Sequence, residues 1–144
     1  MSLFGLFDVA TSGMEAQRLR AQLLAENIAN AETTRTPGGG PYRRKDAVFT
    51  TSPTHSDFSS IFDEAMNTMT GVAVKEVMID DADGERRYQP GHPDADKDGY
   101  VSFPHLNPAE EMVNLQSASR GYQANVAAIS AVKDMIQRSI DLLK

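Results

Sequence analysis

The chain has 144 residues, a net charge of −6 and 24% charged residues, with a pI near 5.0. That length suits one core with an elaboration rather than two full domains. With 40% apolar residues it is not a low-hydrophobicity disordered chain, and its acidity argues against coating nucleic acid or an anionic membrane. The absence of cysteine removes disulfides, thiolate metal sites and thiol nucleophiles together. No run approaches the ~18 apolar residues of a membrane span, so direct membrane insertion is not expected. Met1–Asp8 lacks a basic leading segment and its apolar stretch is broken by Asp8. It is not a conventional secretory signal, so work outside the cytoplasm would need another exit route.

From the start, Leu3, Phe7, Ala10, Met14, Gln17, Ala21, Leu24, Ile28 and Ala31 alternate by four and three, the spacing of a helical seam. Leu6, Val9, Ala16, Leu19 and Leu23 form a second row beside it. One row can face another helix of the chain. The other needs a further surface. A helical segment over 1–34 ends at the turn cluster Thr36-Pro-Gly-Gly-Gly-Pro41.

Residues 35–106 read differently. Tyr42–Phe49 and Val72–Ile79 suit strands, Thr50–Ser60 a connector, and 57–70 a short amphipathic helix. Tyr88 can begin another strand, and a rigid Pro- and Asp-rich loop over 90–99 is followed by Tyr100–Phe103. Residues 61–106 hold four bases against ten acids, the whole charge excess.

Asn107-Pro108-Ala109-Glu110 is a helix start, with a capping Asn, Pro at the first helical position and Glu at the third. The seam that follows is Met112, Leu115, Ser119, Tyr122, Val126, Ile129, Lys133, Ile136, Ile140 and Leu143. A helix over 108–143 would be about 54 Å long at ~1.5 Å per residue. Ala118, Ala124, Ala128 and Ala131 make a small-residue flank. The expected fold is α+β, mainly α: long N- and C-terminal helices (1–34 and 107–144) paired as an antiparallel coiled coil, with a small β-containing insert between them. Their apolar rows exceed what two helices bury on each other, which implies partner subunits.

Chemical motifs are sparse. Asp94-Ala-Asp96-Lys-Asp98-Gly99 matches the first half of a calcium loop, but His105 stands where a bidentate Glu belongs and prolines flank it. An acidic turn bonding its own backbone, with Gly99 at positive φ, is the favoured reading. His55, His92 and His105 lack metal-ligand spacing, Gly38–Gly40 does not open a helix, and no nucleophile motif is present. Asp63-Glu64 and Glu110-Glu111 are neighbours that diverge on a helix; they read as a solvated helix face and as an N-terminal turn complementing the macrodipole. No enzyme, cofactor or metal centre is expected. Arg43 and Arg44 suit docking against the acidic segment 80–98 of a neighbouring copy.

Asn27-Ile-Ala-Asn-Ala-Glu-Thr33 resembles the N-terminal signature of bacterial flagellar axial proteins, the rod and hook family. Gly40–Lys45, Tyr88–Val101 and Glu111–Val126 are similar to further blocks of its proximal-rod branch, in the same order. The resemblance implies a structural subunit of the rod that crosses the periplasm and transmits torque. It implies export through the flagellar type III apparatus without a cleaved signal. The implied partners are other copies of the chain, other rod proteins, the basal-body base and the export apparatus, and no nucleic acid. Leu6, Met14, Leu24, Asn27 and Asn30 on the first helix, Arg43 and Arg44, and Tyr122, Asn125, Val126, Ile129 and Ile136 on the last are the candidate contacts between subunits. Asn27 and Asn30 either cap the helix end or form an amide contact that sets register between subunits.

Overall fold

A computed structural model describes residues 3–53 and 70–142. In chain order it contains α1 (Leu3–Ala29), β1 (Lys45–Pro53), β2 (Thr70–Ile79), β3 (Arg86–Tyr88), β4 (Tyr100–Ser102) and α2 (Pro108–Asp141). This is the expected mainly helical α+β arrangement, two long helices enclosing a small antiparallel insert. The amphipathic helix expected over 57–70 lies outside the described residues, except for Thr70, which opens β2.

The start of α2 forms as its sequence dictates. Asn107 is extended at φ −110° and ψ 110°, and its side-chain oxygen accepts the Ala109 N–H at 3.1 Å. Glu110 departs from the expected capping box: its carboxylate accepts from the Asn107 side-chain amide at 3.3 Å. The 34 residues of α2 make it about 51 Å long at ~1.5 Å per residue.

The helices run antiparallel. A Cβ on Gly13 would meet the Asn125 amide at 2.9 Å, and one on Gly121 would meet Gln17 at 3.2 Å. Asn27 bonds Glu111. In each pair the numbers add to 138, so residue 3 lies level with residue 135. The last turn and a half of α2 therefore extends past the described start of α1.

The seam on α2 is half as expected. Leu115, Ile129 and Ile136 turn partly inward. The other inward positions are Glu111, Ala118, Asn125 and Val132, each one residue before the expected Met112, Ser119, Val126 and Lys133. Ala118, with Gly121 beside Gln17, allows close approach to α1, while Met112 and Val126 remain 58% and 45% exposed. On α1 the expected seam residue Gln17 faces Gly121, and Gly13, one residue before Met14, also meets α2.

Strands β1 and β2 pair antiparallel from Lys45↔Ile79 to Pro53↔Thr70, with a bulge where Val48 faces Glu76 and Phe49 faces Val74. β1 runs on through Thr50–Pro53, a stretch expected to be a connector. Thr50 and Thr51 are β-branched and pair with Ala73 and Val72, so strand pairing overrides their loop-like composition. The hairpin packs on α1. Its Val72 N–H donates to Ser12 Oγ at 3.1 Å, which marks the face of α1 it covers. Ala16, Leu19 and Leu23 follow Ser12 on that face at helical spacing, and Ala16 and Leu23 are buried. The second apolar row of α1, expected to need a partner, is in part covered by the chain's own hairpin. Among the described elements α2 packs only on α1.

The small β3–β4 ladder closes the insert. Val101 is fully buried and Phe103 nearly so, and Tyr88 meets Tyr100 edge to face at 5.3 Å. Gly99 has φ +81°, as the turn reading expects. Gly84 lies so close to residues 103–105 that a Cβ there would sit 1.9 Å from the Phe103 carbonyl oxygen.

Candidate functional site: a buried polar node and an open helix face

Near the end of α1, Asn27 has no exposed surface. Its amide nitrogen donates to the Lys45 carbonyl at 2.8 Å and to Glu111 Oε2 at 2.9 Å. Its amide oxygen accepts the Lys45 N–H at 3.0 Å and the Tyr42 hydroxyl at 3.0 Å. Two donors and two acceptor sites are all that a carboxamide has, and all four are used. By bonding both backbone groups of Lys45, the side chain acts as a strand partner at the open edge of β1.

Charged groups surround this amide. Glu111, 2% exposed, accepts Arg44 Nε at 2.8 Å on its other oxygen. Arg44 also reaches Asp46 at 3.3 Å, and Lys45 pairs with Glu26 while standing 5.7 Å over the Tyr42 ring. Burial pushes the Tyr42 hydroxyl up to about 12, helped by the charges of Glu26 and Glu111. Burial pulls the Arg44 guanidinium down, but the hydrogen bond and charge of Glu111 outweigh it and the net shift is upward. A network with its members satisfied fixes one arrangement of the three segments; one partner fewer leaves buried polar groups orphaned. The node is built to hold the fold together, and no group in it is left free to act on a substrate.

Several of the candidate subunit contacts have partners within the chain itself. Asn27 is occupied within its own chain, so it has no bonding capacity left for another subunit. Asn30 donates to the Glu26 carbonyl at 2.9 Å, the capping alternative. Arg43 and Arg44 were expected to dock onto a neighbour's acidic segment. Arg43 instead bonds the Asp81 carbonyl at 2.7 Å, the Ala82 carbonyl and the Asp83 carboxylate at 3.3 Å within the chain, and Arg44 serves Glu111. The β1–β2 pairing places this acidic turn within reach, since Lys45 faces Ile79 and the Asp80 N–H donates to the Arg44 carbonyl at 2.8 Å. Glu111 lies in the first turn as expected, and it is also buried because it shares a face with Leu115 and Ala118, a signal present in the spacing. Leu24 is 3% exposed and belongs to the core. Leu6, Met14, Asn125, Ile129 and Ile136 are half-buried. Tyr122 and Val126 remain open, at 40% and 45% exposure.

In the acidic loop, Asp96 Oδ1 accepts the Asp98 and Tyr100 N–H groups, both at 2.9 Å, and Oδ2 pairs with Arg86. The Tyr100 amide above all, then the Asp98 amide and the Arg86 guanidinium, holds its carboxyl below the usual carboxylate range. Asp94 accepts the Thr34 hydroxyl at 2.7 Å. These carboxylates organise the loop's own backbone. Among the described residues no three His, Asp or Glu side chains converge as metal ligands. Nor is any described helix long and apolar enough to cross a membrane.

Two long helices, locked by a polar node and leaving α2 largely uncovered, define a helical building block of the flagellar axial kind. The family model described as flagellar basal body rod FlgEFG protein C-terminal matches residues 97–142. The flagellar basal-body rod protein FlgC of Borreliella burgdorferi is 40% identical, covering 100% of this chain and 99% of its own. That of Salmonella typhimurium is 39% identical over 99% of this chain and 98% of its own, and that of Bacillus subtilis 37% over the whole of both. The chain belongs to the FlgC family of flagellar basal-body rod proteins. It is a structural subunit of the rod. Three of the four signatures that resembled axial proteins meet at the node: Asn27 from the first, Tyr42–Lys45 from the second and Glu111 from the last.

Proposed function

We propose that this chain assembles with other copies of itself and with other rod proteins into the wall of a helical tube, which carries motor torque across the periplasm. The base of the basal body and the export apparatus are its further partners, and it travels through that apparatus without a cleaved signal. The observation that carries this reading is the apolar surface of α2 left uncovered by α1: Met112, Tyr122, Val126 and Ile140 along one flank, Val113 and Met135 along the other, all at least 40% exposed. Exposed rows of this length on a helix that, among the described elements, packs only on α1 mark contacts with other proteins. A contact between different surfaces of successive subunits does not close on itself and generates a helical polymer. A tube that carries torque needs subunits that do not hinge internally, and the satisfied node supplies that stiffness. The role is structural rather than catalytic, which agrees with polar groups engaged in holding loops and helices. Deleting the gene from its flagellated host is expected to abolish flagella, with recovery on re-expression. Normal basal bodies in the deletion strain would refute the reading.

A further inference from the structure

Resting on the building-block reading, we propose that Met112 and Met135 are oxidation sites through which a peroxide withholds a free subunit from the rod. The chain has seven methionines but neither cysteine nor tryptophan. No thiol or indole competes for an oxidant, so the thioether is the side chain that reacts first. Reactivity among the methionines then follows exposure. Met112 is 58% exposed and Met135 52%, one on each open flank of α2. Met14 is half-buried. Met78 is as open, at 60%, but stands on β2, which does not touch α2.

The step is a two-electron transfer. A lone pair on the methionine sulfur attacks one peroxide oxygen, the S–O bond forms and the O–O bond breaks. The departing hydroxide collects the proton left on the transferred oxygen and becomes water. Sulfur is oxidised and peroxide reduced. The product is a polar sulfoxide in place of an apolar thioether. In the free chain its oxygen is solvated, because both side chains already face water, and the fold is spared. In the rod the same oxygen would be pressed against a neighbour's apolar surface, where an unpartnered polar group is costly. Oxidation therefore acts on assembly. Once a subunit is in place its flanks are covered, and the sensitivity belongs to the free chain alone.

Hydrogen peroxide treatment followed by peptide mass spectrometry tests this on the isolated chain and on purified basal bodies. In the isolated chain Met112 and Met135 should gain oxygen about fivefold faster than Met14, with the far-ultraviolet circular dichroism unchanged. In basal bodies both should react about tenfold more slowly than in the isolated chain. Met112→Gln with Met135→Gln sets a polar amide where the sulfoxide would stand, and should lower recovery of the chain in basal bodies about tenfold. Met112→Leu with Met135→Leu keeps the flanks apolar and should assemble normally. Rates equal to that of Met14 in the isolated chain overturn the proposal. So does unchanged reactivity of either residue in basal bodies, or normal assembly of the double glutamine variant. In each of these cases the wild-type chain is still found in basal bodies, so the building-block reading survives. Absence of the wild-type chain from purified basal bodies would remove that reading and this proposal together.

Discussion

Asn27 concentrates the long-range order of the molecule in one side chain. Replacing it with Ala strands the Lys45 backbone groups and the Tyr42 hydroxyl and deprives Glu111 of a donor. The expected cost is about 2–3 kcal/mol, near the upper range for orphaned buried groups. Asn27→Asp should cost more, because it loses both donors and sets a second carboxylate against Glu111. Urea denaturation of the isolated chain checks the order, and a cost below about 0.5 kcal/mol for either variant would deny the node its role. Tyr42 gives the node a pH signature. Its folded-state value is raised to about 12 from an ordinary value near 10, so the fold favours the neutral phenol. The stability this contributes is fully present below about pH 10 and is lost as pH rises toward 12. A spectrophotometric titration should show a late tyrosinate step that disappears in Tyr42→Phe. A last step unchanged by that substitution would contradict the assignment.

At the level of elements, the helices, both strands of the long hairpin and the capped start of α2 were legible in the sequence, because spacing, β-branching and capping are local signals. The choice of inward face was not. Met112 and Val126 are more apolar than Glu111 and Asn125, so a rule that seats apolar residues inside picks the wrong neighbour at every other position. What decides is close approach, which favours Gly13, Ala118 and Gly121 at the contact, and the polar node, which draws Glu111 inward. The node itself was hidden for a related reason: its bonds span 84 residues, and the basic run Arg43–Lys45 reads as surface until Glu111 and Asp83 are brought to it. The helix contact makes its own prediction. Among the described residues, Gln17 Oε1 is buried with no hydrogen-bond partner, so the Gln17 side chain loses no bond at that oxygen by yielding 0.1–0.3 Å, roughly the adjustment that the facing position requires in a close-packed contact. Gly121→Ala should therefore keep most of the helix-propensity gain of about 0.5–1 kcal/mol and raise the melting temperature. Gly84→Ala should do the opposite, since the Cβ would collide with the Phe103 backbone oxygen, and backbone cannot step aside as a side chain can. Thermal melts of the two variants should move apart, and a melting temperature lowered as much by Gly121→Ala as by Gly84→Ala would deny the helix contact its slack.

For the whole molecule, the proposed assembly surface and the folding core fall on different faces of the same helix pair, and substitutions should separate them. Leu24 lies in the core at 3% exposure and Val126 lies open at 45%. Leu24→Asp buries a charge without a partner and should unfold the chain or lower its stability by several kcal/mol. Motility would fail there for want of a folded subunit. Val126→Asp adds a carboxylate where solvent already reaches, so the isolated chain should keep its stability within about 0.5 kcal/mol. In the rod that carboxylate would be buried against a neighbour, and motility should fail with the chain synthesised, exported and folded. Complementation of a deletion strain, read as swimming and as recovery of the chain in purified basal bodies, distinguishes the two routes. Full motility with Val126→Asp would mean that this flank of α2 faces solvent in the rod. The subunit contacts would then lie on the other flank, where Val113 and Met135 are exposed, and Met135→Asp should block assembly in its place.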